Sequence, residues 1–389
     1  MTAPLSILQV HNRYRQAGGE DTVVDAERSL LAGAGHHVDR FEAENPTSAV
    51  SSLGNLLLSP WNPVSSRALT RHLADRRPDV AHIHNTWYSL SSSVIPALHR
   101  AGVPTVMTVH NYRLTCLSGQ LYRDGSVCTD CVGRYPLAGV RHACYRGSHA
   151  ASLAVAAASS LGKARQYWQR HVDRFVVMTG FARDLLADIG VDPANVWVKP
   201  HFAPDPGSRP APPSASDTVL FVGRLGHEKG LQPFLAAWRV AAPDLKLRVI
   251  GDGDLRPELA ADLPAGVELV GWLPVDRVKA EMLSARALVF PSVWYETFGM
   301  VLIEAMAAGL PVLASGIAGV PETVGGGLPH PAPGDHDSWV AGIEALEAGD
   351  ADAIGASNRR TFLSRYSVEE GLRGLEDLYR TVIAEHVGR

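Results

Sequence analysis

The chain has 389 residues, of which 46% are hydrophobic and 20% charged, and its formal net charge is -4. This length exceeds what one ordinary hydrophobic core serves, so two domains are expected. The slightly acidic balance argues against a general nucleic-acid binder. Because no run of about 18 apolar residues occurs and the first residues lack a basic, apolar leader, neither a membrane span nor a signal peptide is predicted. These features fit a cytoplasmic enzyme.

Charge is distributed unevenly along the chain. Residues 1–205 carry 20 Lys and Arg against 16 Asp and Glu, whereas the remainder carries 16 against 24. Between Arg113 and Arg183 there are ten basic and three acidic residues. Such a stretch is either a solvated basic face or a surface for an anionic acceptor or an anionic membrane, here the inner face of the cell membrane.

The N-terminal half begins like a nucleotide-binding α/β unit. A strand is predicted at 5–10 and a helix at 22–33, with Gly18 and Gly19 in the loop between them. Glycines there let a ligand approach the backbone closely, although a plain turn explains two glycines equally well. Further strands are predicted at 36–41, 79–85, 103–110, 174–178 and 196–199, helices at 65–76, 148–172 and 180–190, and an irregular stretch at 53–63.

Two of these strands end on a His-Asn pair, His84-Asn85 and His110-Asn111. In a parallel sheet the carboxyl ends of the strands meet at one edge, where ligands gather. A single histidine is usually structural or exposed, but the repeated ending favours a role in lining a cleft. We therefore expect His84, Asn85 and Asn111 to contact an acceptor.

The four cysteines of the chain all lie within one segment. Their order is Cys116, Cys128, Cys131 and Cys144, with a C-x-x-C pair in the middle. Four thiolates at this spacing favour a structural zinc site that fixes a loop with few apolar residues. Disulfides and free thiols are the alternatives, and a cytoplasmic location argues against disulfides.

The C-terminal half starts after a proline-rich stretch at 204–217, which is predicted to be a linker. A strand predicted at 218–224 leads through a glycine-containing turn into a helix from Leu231. Arg224 and Lys229 bracket this turn. Two cations at a strand's carboxyl end suit a diphosphate, whereas two solvated surface charges are the simpler alternative.

Two more strands in this half end in glycine turns. The first ends in Gly251-Asp252-Gly253-Asp254, which we interpret as a turn whose acidic residues cap the next helix, in preference to a metal site. The second runs into Gly271-Trp272-Leu273-Pro274, which is either an ordinary turn or backbone packed against a base. Further elements are predicted as strands at 287–292 and 312–315 and helices near 335–365 and 367–386.

The stretch from Glu296 to Glu304 joins a strand to a helix that stops at Gly309. One carboxylate precedes the helix and the other lies inside it. The first-turn amides between them have no partners within a helix and attract phosphates and other electron-rich oxygens. These amides belong to Phe298, Gly299, Met300 and Val301.

Taken together, the motifs resemble a known family. The strand-end Arg224 with Lys229-Gly230, the Gly-Asp-Gly turn, Gly-Trp-Leu-Pro and Glu296-x7-Glu304 are similar to those of retaining glycosyltransferases of family 4. The resemblance implies an α/β fold of the GT-B class, with two Rossmann-like domains facing across a cleft. His110-Asn111-Tyr112 and the four cysteines resemble a subset of bacterial members. Trp294 and Tyr295 stand where many members carry smaller residues, so the shape of the sugar pocket is not carried over.

On this resemblance, residues 1–203 form the acceptor-binding domain with a cysteine-rich insert at 113–149, and residues 218–365 bind the nucleotide sugar. The segment 366–389 is expected as a helix that packs back on the N-terminal domain. The catalytic residues implied are Glu296, His110, Arg224 and Lys229. The donor-binding residues implied are Gly18, Gly19, Gly223, Gly253, Leu273, Phe298, Gly299, Met300, Val301 and Glu304.

The resemblance also implies the chemistry. Arg224 and Lys229 hold the donor diphosphate, Glu296 orients the sugar, Glu304 binds the ribose and His110 lies near the sugar. A hexose moves to a hydroxyl of a glycan, a lipid-linked saccharide or a natural product. Configuration is retained, no catalytic metal is needed, and UDP is favoured as the carrier. The alternatives are a glycosyl phosphorylase or nucleotide-sugar epimerase of the same architecture, or a non-enzymatic sugar-nucleotide-binding protein.

Overall fold

In the computed structural model, which describes residues 3–14, 18–45, 58–87 and 89–388, the chain divides into two compact units. The first contains Met1–Leu121, Cys128–Lys199 and Leu372–Arg389, and the second contains Tyr122–Val127 and Pro200–Gly371. The boundary between the two units thus falls after Lys199, whereas the N-terminal domain was predicted to end at residue 203. Six residues of the expected insert group with the second unit. Residues 53–57 of the stretch predicted as irregular lie outside the described residues.

The first unit is built on a six-stranded parallel sheet in the order β2-β1-β3-β4-β7-β8. Its strands are β1 (Ser6–Arg13), β2 (His37–Glu44), β3 (Val80–Asn85), β4 (Thr105–Thr108), β7 (Arg174–Val177) and β8 (Val196–Val198). Its helices are α1 (Gly19–Gly33), α2 (Pro63–Asp75), α3 (Val94–Arg100), α4 (Leu137–Arg141), α5 (His149–Arg165), α6 (Tyr167–His171) and α7 (Gly180–Asp188).

The second unit is a five-stranded parallel sheet in the order β11-β10-β9-β12-β13. Its strands are β9 (Thr218–Val222), β10 (Lys246–Ile250), β11 (Val267–Gly271), β12 (Ala287–Phe290) and β13 (Val312–Ala314), and a separate two-stranded hairpin is formed by β5 (Tyr122–Arg123) and β6 (Ser126–Val127). Its helices are α8 (Leu231–Ala241), α9 (Arg256–Ala261), α10 (Val275–Ser284), α11 (Met300–Ala307), α12 (Val320–Val324), α13 (His336–Ala348) and α14 (Ala351–Arg365). The last helix, α15 (Val368–Val387), carries the chain from the second unit into the first.

Both sheets are doubly wound, which confirms the predicted α/β class with two Rossmann-like domains. In such sheets the strand order reverses at one point, and ligands bind outside the carboxyl ends of the strands there. The reversal lies between β1 and β3 in the first unit and between β9 and β12 in the second. The central strand β3 is buried along its whole length, as strands covered on both faces are.

The helix α15 completes the core of the first unit. Leu375, Leu378 and Val382 are fully buried and cluster with Ile7 of β1 and Val106 of β4. Apolar burial of this kind stabilises by roughly 25 cal/mol per Å². The last helix is therefore part of that unit's hydrophobic core.

Two long predicted helices are each divided. The helix predicted at 148–172 is broken at Gln166, whose left-handed backbone (φ 51°) ends α5. The helix predicted near 335–365 ends at Ala348, and Asp350 then caps α14 by accepting a hydrogen bond from the amide of Ala353. Both predictions were wrong because local capping geometry overrode a continuous helical pattern.

The proline-rich stretch at 204–217, predicted as a linker, makes specific contacts within the second unit. The guanidinium of Arg209 donates to the carbonyl oxygens of Met282, Ala285 and Ala308 at 3.0, 2.6 and 3.0 Å. Asp205 pairs with Arg359 at 2.5 Å. Composition predicted a linker here, and composition alone does not show such anchoring contacts.

None of the helices in the described part of the chain combines the length and the apolar character needed to cross a bilayer.

Candidate active site

The strand reversal of the second unit brings Lys229 and Glu296 together. Lys229 closes the turn that follows β9, and Glu296 follows β12. The turn ends at Gly230 with a left-handed backbone (φ 66°), and a Cβ there would lie 2.0 Å from the carbonyl oxygen of Pro291. Only glycine permits this approach. As a result the ammonium of Lys229 lies 2.5 Å from Oε1 of Glu296.

Two further donors converge on the same carboxylate oxygen. Trp294 donates its indole N–H to Oε1 of Glu296 at 2.7 Å, and Ser292 donates its hydroxyl at 3.0 Å. The ammonium of Lys229 also lies 5.5 Å from the ring centre of Trp294. The sequence did not assign roles to Ser292 or Trp294. Both act on Glu296 through side-chain geometry that a linear motif does not contain.

Arg224 is placed beside this pair and not within it. Its side chain is 64% exposed, and its guanidinium lies 2.6 Å from Oε1 of the largely buried Glu228. The backbone carbonyl of Glu228 accepts a hydrogen bond from the amide of Val293, and it lies 3.3 Å from the hydroxyl of Ser292 as a second, longer acceptor for that single proton. Glu228 was not singled out from the sequence, where an acid between Arg224 and Lys229 gave no distinct signal.

The helix α11 begins next to Glu296, with its first-turn amides at the carboxyl edge of the sheet. Gly299 precedes it in a left-handed conformation (φ 85°), and the helix starts at Met300. Phe298 is buried against the rings of His201 and Tyr366, so its side chain serves packing. The amides of Gly299, Met300 and Val301 point out of the helix start, as in any helix.

The remaining predicted donor residues of the second unit lie near these turns. Burial raises the pKa of the half-buried Glu304 in α11, an effect that Lys279 partly offsets. Gly253 has positive φ, and a Cβ there would lie 2.5 Å from the carbonyl oxygen of Leu225. Gly223 directly follows β9, while Leu273 is half-buried in the turn after β11.

One prediction about these turns was wrong. Asp252 and Asp254 do not cap the helix α9, whose N-cap residue is Leu255 and which has no side-chain cap hydrogen bond. Instead the carboxylate of Asp252 accepts a hydrogen bond from the amide of Gly253 at 2.8 Å. The carboxylate of Asp252 therefore stabilises the glycine turn and not the start of the helix.

In the first unit the two His-Asn pairs meet in one pocket. His84, Asn85, His110 and Asn111 all line it, together with Arg113. Nδ1 of His84 lies 3.1 Å from Nε2 of His110, and the two rings stack with centroids 5.4 Å apart. Parallel pairing of β3 with β4 places these strand ends side by side.

The two asparagines of this pocket are held by neighbouring groups. Asn85 is buried, donates to the carbonyl of Asn12 at 3.1 Å and accepts from the amide of Trp87 at 2.8 Å. Asn111 donates to Oε2 of Glu20 at 3.2 Å and accepts from the amide of Arg113 at 3.1 Å. Their amides therefore shape the pocket's loops.

Glu20 was not identified from the sequence as a residue with a functional or structural role. It follows Gly19 at the start of α1 and accepts from Tyr14 and Asn111. Burial raises the pKa of Glu20 to about 8. Gly18 and Gly19 have open space where a Cβ would stand, and Gly18 has an ordinary extended backbone (φ -117°, ψ -178°). Glycine at 18 is thus not required by local conformation.

Two protein-family models match this chain. A family model described as "Glycosyl transferase 4-like domain" matches residues 15–201, and one described as "Glycosyl transferases group 1" matches residues 216–348. The chain belongs to the GT4-type glycosyltransferases. The glycosyltransferase family predicted from the motifs is thereby confirmed.

Relatives and solved structures agree with this assignment. A 2-deoxystreptamine N-acetyl-D-glucosaminyltransferase of Streptomyces fradiae is 29% identical over 80% of this chain and 73% of its own. A phosphatidyl-myo-inositol mannosyltransferase of Mycolicibacterium smegmatis is 28% identical over 79% and 71%. The structure of a Rickettsia africae glycosyltransferase superposes with a TM-score of 0.69 at 15% identity, covering 98% and 99% of the two chains. Anabaena HepE in complex with UDP gives 0.66 at 15% identity over 97% and 100%, and together these neighbours confirm the GT-B fold.

Among the described residues of this glycosyltransferase, no disulfide joins Cys116, Cys128, Cys131 and Cys144. Burial raises the pKa of the Cys131 thiol, and the neighbouring thiols of Cys116, Cys144 and Cys128 raise it further. Across the described residues, the metal-ligating side chains with three ligand atoms within 4.8 Å of one another are Glu27, His82 and His84. The four cysteine sulfurs do not form such a group there, and zinc binding stays a prediction.

Proposed function

We propose that this glycosyltransferase moves a hexose-type sugar from a nucleoside diphosphate, with UDP favoured, to an acceptor hydroxyl with retention of configuration. The observation that carries the proposal is the Lys229–Glu296 contact at the strand reversal of a Rossmann-like sheet. UDP and UDP-glucose complexes of the structural neighbour HepE support the choice of carrier. The steps below are assigned to residues at this strand reversal, and the family resemblance adds the role of His110.

The donor diphosphate is proposed to replace Glu296 as the partner of Lys229. Lys229 and the exposed guanidinium of Arg224 then stabilise the charge that develops as the diphosphate leaves, which is often the largest catalytic contribution. First-turn amides of α11 add a partial positive charge. Trp294 and Ser292 keep Glu296 in place so that it accepts hydrogen bonds from the sugar hydroxyls.

Retention is proposed to follow from attack on the same face from which the diphosphate leaves. The acceptor hydroxyl forms the new C–O bond as the bond to the leaving phosphate breaks, and its proton passes to the phosphate oxygen. The positive charge that a divalent metal supplies in other transferases is assigned here to Arg224 and Lys229. His110 is placed beside the sugar and Glu304 on the donor ribose.

The test is a panel of nucleotide sugars with detection of released nucleoside diphosphate. Lys229→Ala and Glu296→Ala are each expected to lower kcat/KM by about 10²–10³-fold, the usual cost of removing such a group. Lys246→Ala is the matched control, because this lysine starts β10 at the opposite end of the same sheet and pairs with Asp217. Near wild-type turnover in both site variants would contradict the assignment.

The stereochemical proposal needs its own measurement. The anomeric configuration of the product, read by proton NMR, is expected to match that of the donor. Sugar 1-phosphate as the productive donor, with release of free phosphate, would instead indicate a phosphorylase. Binding of UDP-sugar without turnover under any acceptor would indicate a non-enzymatic protein.

The acceptor is proposed to be a hydroxyl of a cyclitol, either soluble or attached to a lipid. The names of two relatives refer to 2-deoxystreptamine and phosphatidyl-myo-inositol, and both contain a six-membered carbocyclic polyol. The pocket lined by His84, Asn85, His110 and Asn111 is the place proposed for this acceptor. Acceptor trials therefore pair 2-deoxystreptamine and myo-inositol lipids with saccharides as the comparison, and transfer to saccharides alone would refute the cyclitol.

Peripheral contact with an anionic membrane is proposed for the surface around α4 and α5. Residues 131–172 contain six Lys and Arg and neither Asp nor Glu. Tyr135, Leu137 and Leu153 expose more than half of their surface there. Basic and apolar groups together favour binding at the interface.

Flotation with phosphatidylglycerol vesicles tests this contact. The protein is expected to float at low salt and to be released at high salt, because its charges are screened. Arg141→Glu is expected to weaken flotation, and neutral phosphatidylcholine vesicles are the control. Association with neither vesicle type would contradict the proposal.

Structural zinc in the cysteine segment is proposed from the number and spacing of the four thiols. Cys116, Cys128, Cys131 and Cys144 offer the sulfur ligands that zinc prefers. Metal analysis of purified protein is expected to give about one zinc per chain, and Cys128→Ser is expected to lose it. Metal-free protein with four titratable thiols would remove the idea.

A further inference from the structure

A buried polar cluster lies behind the pocket of the first unit. It consists of Glu27 of α1, His82 and His84 of β3, and Lys199, and each is at most 6% exposed. Such groups are costly to bury unless they satisfy one another. Their contacts therefore indicate what the cluster does.

Glu27 is the centre of the cluster. Its Oε1 lies 3.2 Å from the ammonium of Lys199, and its Oε2 lies 3.7 Å from Nε2 of His84 and 3.7 Å from Nδ1 of His82. An ammonium at this distance favours the ionised carboxylate. At 3.7 Å this carboxylate is too far from Nε2 of His84 for a direct hydrogen bond, but its negative charge favours the tautomer that carries the proton on that nitrogen.

The same three side chains have the spacing of a metal site. However, both ring nitrogens of His82 already have a hydroxyl within hydrogen-bond distance. Nδ1 of His82 lies 2.7 Å from the hydroxyl of Tyr379, and Nε2 of His82 lies 2.7 Å from the hydroxyl of Thr108. Burial lowers the pKa of His82 to about 4, so this ring is neutral. Together with the Lys199 ion pair, these contacts describe a hydrogen-bonded network in place of a metal centre.

The cluster continues to the pocket through His84. With a proton on Nε2, the Nδ1 of His84 is an acceptor, and it lies 3.1 Å from Nε2 of His110. That nitrogen of His110 must then be the donor. Consequently the unprotonated nitrogen of His110 is Nδ1.

We propose that Glu27 and His84 are positioning residues that hold His110 as its Nε2–H tautomer, so that Nδ1 accepts a hydrogen bond from a hydroxyl of the reacting sugars. This inference rests on the proposed function, in which His110 lies beside the transferred sugar. It gives His84 a role through His110, in place of the acceptor contact predicted from the sequence.

The primary test is the tautomer itself, read from proton–nitrogen NMR correlations of histidine-labelled protein. The His110 signal is assigned by its loss in His110→Asn. In the wild type the proton is expected on Nε2. In His84→Phe, and in the double variant Glu27→Gln with Lys199→Met, the signal is expected to shift to mixed tautomers. The double variant avoids leaving an ammonium buried without its carboxylate.

Turnover is the second readout. Both variants are expected to lower kcat by on the order of 10–100-fold, the range seen when a group that orients a functional histidine is lost. Tyr379→Phe is the matched control, because it removes a hydroxyl from the same network on the side of His82. Its kcat and its His110 tautomer are expected to equal those of the wild type.

These outcomes separate the inference from the proposed function. A wild type that transfers sugar but shows His110 protonated on Nδ1 overturns the inference alone, as does an unchanged tautomer in both variants. A wild type inactive with every donor overturns the function, whereas the tautomer measurement still decides whether Glu27 and His84 set the state of His110.

Discussion

Replacement of Trp294 by Phe isolates one hydrogen bond in the candidate active site. The indole N–H donates to Oε1 of Glu296 at 2.7 Å, and Lys229 and Ser292 donate to the same oxygen. Phe keeps an aromatic ring beside Lys229 but removes the donor. In the proposed donor-bound state Lys229 faces the diphosphate, so Glu296 would retain only Ser292 of these three donors.

The magnitude follows from the charge of the acceptor. A hydrogen bond to a charged group contributes about 1.5–3 kcal/mol, which corresponds to a factor of about 10–150. The Trp294 hydrogen bond matters most when Lys229 has left Glu296 for the diphosphate. Its removal is therefore expected to lower kcat/KM for the donor more than the stability of the unliganded protein.

Steady-state kinetics with the best nucleotide sugar measure this effect, and thermal unfolding of both proteins is the control for folding. Trp61→Phe is a second control. This half-buried tryptophan packs on Tyr167, and both residues belong to the first unit, whereas Trp294 belongs to the second. In Ser292→Ala, Trp294→Phe and their double variant, the effects are expected to be non-additive, because both donors hold one oxygen. Unchanged kcat/KM in the double variant would refute the reasoning.

Three other substitutions test parts of the structure on which these sites depend. Burial raises the pKa of Glu20 from 4.5 to about 8, so the folded protein keeps a proton that the unfolded chain releases, and stability falls as pH rises between these values. Glu20→Gln is expected to flatten that fall, measured as Tm from about pH 5 to 9, and an unchanged slope would contradict it. Arg209→Ala leaves three carbonyl oxygens without their donor and is expected to lower the free energy of unfolding by about 1–3 kcal/mol in a urea titration, with Arg209→Lys as the intermediate case. Gly230→Ala is expected to abolish transfer and lower Tm, because its Cβ would meet the carbonyl of Pro291; wild-type kinetics would contradict the geometry.

The residues of the second unit's candidate site could largely be predicted, because they fall into two short segments of the sequence. Arg224 and Lys229 bracket one turn, and Glu296 and Glu304 bracket one helix start. The rule that ligands bind at the carboxyl ends of strands then brings the two segments together. What the sequence could not show was the partner of each charge: Glu228 for Arg224, and Glu296 for Lys229. Those pairings depend on rotamers and on the approach at Gly230.

The first unit's buried acids were missed for a different reason. On α1, Glu27 occupies the stripe formed by Val24 and Leu31, which are three residues before it and four after it, and all three are buried. A charged residue on such a stripe is a detectable signal, since acids are rarely buried without a partner. Its partner Lys199 is 172 residues away, so only the fold reveals the pair.

The two cations of the candidate donor site each pair with a carboxylate. Lys229 holds Glu296 and Arg224 holds Glu228, so two positive and two negative side chains balance one another. A diphosphate brings negative charge that competes with both carboxylates for the same cations. As it gains them, the carboxylate of Glu296 loses its strongest donor and becomes a better acceptor for sugar hydroxyls. Under the proposed function, these ion pairs would couple capture of the diphosphate to recognition of the sugar, and a ligand that supplied only one of these groups would shift only part of the balance.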